Sequence, residues 1–244
     1  LLLVSRFFTD YLWYQEVGYT TVFWTRIWAR LAVMLGFGVV FFAIFYGNLR
    51  LARHFVPALR PAPGADADVF DLIEQRRRGP RYLMGVAAAI LSVLFAIGYG
   101  GSWTKIWAFL QQSDFGFAAP VFERDASFFV FTLPLLEMVL TFVMVAFLFG
   151  FLGSLLIYVS QRAISVEGRS VRMAPHVKAH LSVFFAVAML GKAVDYILGR
   201  WDLAYSTRGA TFGPSYTDVS VQLPVLWILA GFAVFAGVLF LANI

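Results

Sequence analysis

Five stretches of this chain run for the length of a bilayer-crossing helix with scarcely a charge. A helix rises about 1.5 Å per residue, so crossing ~30 Å of hydrocarbon takes ~20 mostly apolar residues. Leu31 to Leu49, Tyr82 to Thr104, Met138 to Gln161 and Val219 to Ile244 contain no Asp, Glu, Lys or Arg. Val177 to Leu198 is broken by Lys192 and Asp195, with Lys178 at its entrance. The pattern predicts spans near residues 27–50, 82–104, 134–160, 177–198 and 219–244. Leu1-Leu2-Leu3-Val4 reads as the tail of a further span, truncated at its start, which makes about six. The expected fold is therefore all-α, a polytopic bundle of transmembrane helices.

Composition excludes the soluble alternative. Apolar residues make up 61% of the 244 and charged residues 14%, against roughly 45–50% and 25% in soluble domains. Mean hydropathy is +0.78. A water-soluble fold could not hide that much apolar surface, whereas lipid solvates it. The absence of cysteine rules out disulfides, thiolate metal sites and cysteine nucleophiles within the chain.

The net charge of +5 does not point to nucleic acid, because the basic residues sit between apolar runs, as topology determinants do. One inter-span segment carries Arg50, Arg53, Arg60, Arg76, Arg77, Arg78 and Arg81. A second carries Arg162, Arg169, Arg172 and Lys178. Arg6, Arg26, Arg30, Lys105, Arg124, Arg200 and Arg208 fall on the opposite side. Alternating spans put both Arg-rich loops, 50–81 and 161–178, on one side, and the positive-inside rule makes it the cytoplasm. The bacterial cytoplasmic membrane is the expected location. Within the first loop, Pro57, Pro61, Pro63 and Gly64 suggest an irregular linker. Asp68 to Glu74, followed by Arg76 to Arg78, suggests a short helix whose charges suit its dipole.

The opposite loops are aromatic. Tyr11, Trp13, Tyr14, Tyr19, Phe23, Trp24 and Trp28 crowd one; Trp103, Trp107, Phe109, Phe115, Phe117 and Phe122 crowd the other. Trp103, Trp107 and Leu110 recur at helical spacing, as in a helix lying in the headgroup zone. Trp13, Tyr14, Trp24, Trp103, Trp107, Trp201 and Asp218 are candidate interaction positions on this face.

Ionisable residues within spans are the first places to look for function. Lys192 and Asp195 lie three apart on one helix face, so they can pair with each other. Glu137 lies near the same end of its own span and would complete an intramembrane polar cluster if the three converged. His176 and His180 are four apart, but no third metal ligand is near in sequence, and a solvated interfacial pair is expected. Ile97-Gly98-Tyr99-Gly100 is like a potassium-filter core only locally: it ends an uninterrupted apolar run, so a helix end is expected. Gly150 and Gly153, Gly36 and Gly38, and Gly231 and Gly237 are places for helices to approach closely. No triad order, HExxH, phosphate loop or dinucleotide fingerprint is present, and no cofactor or metal is expected.

Three segments carry a resemblance: Asp10-Tyr-Leu-Trp-Tyr-Gln-Glu-Val-Gly-Tyr-Thr-Thr-Val-Phe-Trp24, Asp125-Ala-Ser-Phe-Phe-Val-Phe-Thr-Leu-Pro134, and Trp201-Asp-Leu-Ala-Tyr-Ser206 with Gly213-Pro-Ser-Tyr-Thr-Asp-Val219. In that order they resemble a widespread bacterial family of uncharacterised integral membrane proteins, number 0182. Phe129 departs from the family's usual Tyr, and Phe115 to Pro120 matches it loosely. The resemblance implies about seven spans followed by a large extracytoplasmic domain, with no established activity or catalytic residue to carry over. The expected role is a non-enzymatic membrane domain: an anchor, scaffold or accessory subunit of a larger envelope or membrane complex. Its expected partners are the lipid bilayer and other membrane subunits or further copies of itself. The competing expectation is a solute or ion transporter or channel using Glu137, Lys192 and Asp195.

Overall fold

A computed structural model describes residues 2–56, 81–161, 163–167, 170–209 and 212–244. The linker and helix expected between Pro57 and Arg78, and Arg162, lie outside the described residues. Among the described residues seven α-helices follow in order: α1 Leu2–Glu16, α2 Thr20–Phe55, α3 Arg81–Tyr99, α4 Trp103–Leu110, α5 Leu133–Ser160, α6 Pro175–Asp202 and α7 Leu223–Ala242. Among the described residues, five helical stretches are long and apolar enough to cross a membrane: Thr20–Phe55, Tyr82–Leu110, Phe128–Ser160, Pro175–Tyr205 and Asp218–Ala242. Because alternate spans run in opposite directions, the bundle has an aromatic end, near residues 9–28, 99–137, 196–209 and 212–223, and a basic end, near residues 50–56, 82–84, 157–161 and 170–180.

Two elements differ from the sequence expectation. The chain does not leave helix after Val4: one helix continues from Leu2 through Arg6 and Asp10 to Glu16. It folds back on α2, with Gly18 in the left-handed region at φ +78° and the Tyr19 N–H donating to the Tyr14 carbonyl at 2.9 Å. Phe7, Tyr11 and Tyr14 close on Phe23 with ring centroids 5.3, 5.5 and 5.7 Å away. The second difference is a β-hairpin in the Arg-rich loop 161–178. Strands β1 Ile164–Glu167 and β2 Ser170–Met173 pair antiparallel, with Ile164 opposite Met173 and Glu167 opposite Ser170.

The core is aromatic because lipid tails are as apolar as leucine, so helices hold together by shape rather than by escape from water. Phe41, fully buried on α2, stacks on Phe95 of α3 at 4.1 Å. Phe37 stacks on Tyr99 at 4.8 Å and meets the edge of Phe142 of α5 at 4.6 Å. Each such pair contributes about 0.5–1.5 kcal/mol beyond its buried area. Glycine allows closer approach where α5 crosses α2. A Cβ at Gly153 would lie 2.6 Å from Leu49 Cδ2 and 3.0 Å from Phe45 Cε2. The outward faces are apolar too: Leu35 is 70% exposed, Leu156 71% and Phe232 64%. Side chains this exposed belong in hydrocarbon, where exposure of an apolar group has little cost.

Two spans begin in the same unusual way. The turns Phe128–Thr132 and Asp218–Gln222 are π-helical, and each runs into a Leu-Pro pair, Leu133-Pro134 and Leu223-Pro224. Proline has no N–H and its ring crowds the carbonyl four residues back. The residue before it adjusts by bonding one place further: the Leu133 N–H donates to the Phe128 carbonyl, and the Leu223 N–H to the Asp218 carbonyl. In that register the Phe129 carbonyl would next require the N–H of residue 134, which is proline.

Candidate functional site at the aromatic end

The carbonyl that Pro134 leaves without a donor has a partner. The Tyr205 hydroxyl donates to Phe129 O at 2.6 Å. The Phe129 carbonyl at the start of one span and the Tyr205 hydroxyl at the end of another are thus joined by one hydrogen bond between backbone and side chain. Phe129 is itself buried against Leu133 and Leu198, so its backbone is shielded from water.

Two aspartates organise the loops around this contact. Asp125 Oδ1 accepts from the N–H groups of Ser127 at 2.8 Å and Phe115 at 3.1 Å, and Oδ2 accepts from Gly116 N–H at 3.0 Å. Gly116, at φ +77°, supplies the left-handed turn that aims its N–H at the carboxylate. Hydrogen bonds from Ser127, first from its hydroxyl and then from its N–H, together with those from Phe115 and Gly116, hold the Asp125 carboxyl down at about 2. Asp218 does the same work at the second π-turn. Its Oδ2 accepts from Ser215 N–H and Oγ, both at 2.9 Å, while its own N–H donates to Ser215 Oγ at 3.3 Å. This is a capping box, in which side chains at the helix start satisfy N–H groups that have no intrahelical partner. Arg208 Nη1 stands 3.5 Å from Asp218 Oδ1. Asp218, expected on an interaction surface, is only 1% exposed.

The three intramembrane ionisable residues divide into two groups. Lys192 Nζ donates to Asp195 Oδ2 at 2.6 Å, with both side chains about half exposed on the flank of α6 and the ammonium 4.9 Å from the Tyr196 ring. Glu137 of α5 lies instead beside Asp202 at the end of α6, near enough for the two carboxyls to interact, with Lys105 of α4 and Asp195 also within electrostatic reach. Asp202 also lines a recess of about 400 Å³ with Tyr205, Ser206, Arg208 and Gln222. This carboxyl pair was hidden in the sequence because its members sit on different helices.

The aromatic candidates take different positions. Trp13 and Trp24 are exposed on the α1–α2 hairpin, whereas Tyr14 is partly covered by Phe23. Trp103 and Trp107 lie on α4, and Trp107 joins Trp24 and Trp28 along a groove of about 600 Å³. Trp201 is partly buried. Arg200 lies 4.3 Å from its ring and Arg124 5.8 Å, and Phe128 meets it at 4.9 Å. Arg200 also reaches Trp227 of α7 at 4.7 Å, so these cation–π contacts tie α6 to α7.

At the other end of the bundle, the two histidines do not form a solvated pair. His176 is exposed and stacks on Phe55 at 5.8 Å, while His180, one turn deeper, is buried at 6% exposure. Asn48 Nδ2 donates to the Ile44 carbonyl at 2.6 Å, which leaves Asn48 Oδ1 to accept from His180 Nε2 at 3.2 Å. His180 Nδ1 is then the acceptor for the fully buried Tyr158 hydroxyl at 2.6 Å. A neutral imidazole has one donor and one acceptor, and both are used. The network joins α2, α5 and α6. Sequence spacing gave the shared face of the histidines but not its rotation toward the core. Among the described residues, no group of three or more His, Asp or Glu side chains is placed to hold a metal ion.

The profile of the Uncharacterised protein family (UPF0182) matches residues 1–244. The chain belongs to this family. A UPF0182 protein of Bradyrhizobium diazoefficiens is 32% identical over 254 residues, covering all of this chain and 27% of the relative. One from Thermobifida fusca is 31% identical over all of this chain and 24% of the relative. One from Moorella thermoacetica is 33% identical over 98% of this chain and 27% of the relative. The chain thus spans about a quarter of the length of the curated relatives it matches. No solved structure matches it significantly. The three segments that carried the family resemblance include the α1–α2 hairpin, the Asp125 loop with its π-turn, and the Tyr205–Asp218 region.

Proposed function

We propose that this segment is a non-enzymatic membrane domain, serving as anchor and scaffold for the rest of a larger protein or as an accessory subunit of a membrane complex. The observation that carries the reading is the packing of the bundle interior. Phe37, Phe41, Phe95, Tyr99, Phe142 and Phe149 interlock where α2, α3 and α5 cross, and the buried Ser92 among them is satisfied within its own helix, its hydroxyl donating to the Ala88 carbonyl at 2.6 Å. A solute path would need polar side chains lining a wet cavity through that level. The half-exposed Lys192–Asp195 pair is satisfied locally, which fits a structural role on the flank of α6. The positive-inside rule favours a cytoplasmic location for the basic end and an extracytoplasmic one for the aromatic end, in a bacterial cytoplasmic membrane. On that reading the exposed Trp13, Trp24 and Trp107 face the outer headgroups or another subunit or copy.

The test is reconstitution of the full-length protein into vesicles, with proton and ion flux recorded. The reading predicts flux no greater than in empty vesicles, and normal expression and assembly of Lys192→Leu/Asp195→Asn. A flux lost in that variant, or in Glu137→Gln, would replace the anchor by a transporter.

A further inference from the structure

The basic end holds a built cleft that the anchoring role does not use. Tyr46, Arg50, Arg53 and His54 follow one another at four-, three- and one-residue steps, which puts them on one face of α2. With Met84 and Gln161 they line a cavity of about 390 Å³. Arg53 Nη1 contacts Met84 Sδ at 4.0 Å. A second cavity of about 390 Å³ adjoins it, sharing Arg53, Met84 and Gln161, and is walled by apolar residues such as Phe45, Leu49, Leu91, Leu156 and Ile157.

The shape follows from the packing. Toward the aromatic end α3 and α5 meet through Phe95 and Tyr99 against Phe142, at 5.7 and 5.3 Å. Toward the basic end they stand apart on either side of α2, leaving a wedge floored by Phe45 and Leu49. Leu31 to Leu49 is the uncharged part of α2, about 28 Å at 1.5 Å per residue, so Arg50 stands where hydrocarbon gives way to headgroups.

We infer that this cleft is a binding site for an anionic phospholipid, with the headgroup phosphate against Arg50, Arg53 and His54 and an acyl chain in the wedge between α3 and α5. Charge complementarity selects the headgroup, since guanidinium groups pair with phosphate oxygens in two-point contacts. Continuity of the basic and apolar cavities selects a lipid over a soluble phosphate. Basic pockets between helices at a membrane face are suited to such lipids.

The experiment is native mass spectrometry of full-length protein in detergent, titrated with phosphatidylglycerol, phosphatidylcholine or glycerol phosphate. Saturable binding of phosphatidylglycerol is expected at concentrations where phosphatidylcholine binds weakly. Arg50→Gln with Arg53→Gln should cut that preference roughly thirty-fold. Leu156→Trp fills the wedge from a side chain 71% exposed, so it leaves the fold intact and should block the lipid while the basic pocket is unchanged. Equal binding of the two lipids, or full phosphatidylglycerol binding by Leu156→Trp, would overturn the site. Displacement of phosphatidylglycerol by equimolar glycerol phosphate would overturn the lipid assignment in favour of a soluble phosphate.

Discussion

Replacing Tyr205 by Phe tests whether the tyrosine hydroxyl stands in for the N–H that Pro134 lacks. The substitution keeps the ring, which meets Phe129 edge-on at 6.5 Å, and deletes only the hydroxyl that reaches Phe129 O at 2.6 Å. A typical intramolecular hydrogen bond contributes about 0.5–1.5 kcal/mol net. Interhelical polar contacts in membrane proteins average about 0.6 and reach about 1.7 kcal/mol. This carbonyl has no helical donor and is flanked by buried Phe129 and Leu133, so a loss of about 1 kcal/mol is expected. Pro134→Ala restores an N–H at position 134 and so supplies a donor for the same carbonyl. In that background Tyr205→Phe should cost less than about 0.3 kcal/mol, a non-additivity well within the range seen for contacting residues. Reversible unfolding in mixed micelles, followed by tryptophan fluorescence, measures all four corners of the cycle. Equal cost in both backgrounds would refute the reasoning and reduce the proline–tyrosine pairing to coincidence.

Three further expectations use the same assay or a close relative. His180→Phe leaves the Tyr158 hydroxyl and Asn48 Oδ1 both without partners, so it should destabilise more than Tyr158→Phe, and the double variant should be no worse than His180→Phe alone. Gly153→Leu drives a side chain into Leu49 and Phe45 and should cost about 1–3 kcal/mol, visible as a lower unfolding midpoint, whereas Gly36→Leu, with nothing near its Cβ, should be close to neutral. The Asp125 carboxyl titrates below its ordinary value near 3.8, so its hold on the loop is complete above that pH and is lost as the pH falls toward about 2. Amide exchange at Phe115 and Gly116 should therefore be protected at neutral pH and lose that protection across this window, and Asp125→Ala should abolish it at every pH.

The spans were legible in the sequence because hydrocarbon imposes a length and a polarity that few other environments demand. The uncharged runs at Leu31–Leu49 and Tyr82–Thr104 need no knowledge of their neighbours. Contacts between spans were not legible. Glu137 was visible as an unusual acid, but its partner Asp202 lies on another helix. The face shared by His176 and His180 was readable, whereas its turn toward Tyr158 and Asn48 depends on how α5 and α6 pack. Three local signals in the sequence foreshadow features of the fold. Ile164-Ser-Val-Glu and Ser170-Val-Arg-Met alternate apolar and polar around Gly168, the pattern of a hairpin. Ser215 and Asp218 stand three apart before an apolar run, the signature of a capping box. The repeated Leu-Pro after an Asp-x-Ser in two loops likewise foreshadowed the paired π-turns. The basic cleft required coordinates, because its walls come from three helices.

Single-cysteine labelling tests the central claim most directly, since the segment has no cysteine of its own. With any others removed from the full-length protein, cysteines at Asp114 and Thr207 should react with an impermeant maleimide from one side of the membrane. Those at His54 and His176 should react only from the other side. Cysteines at Val39 and Leu148 should stay unreactive from both. Labelling of both ends from the same side, or brisk reaction at residues 39 and 148, would contradict a bundle of five helices crossing a bilayer.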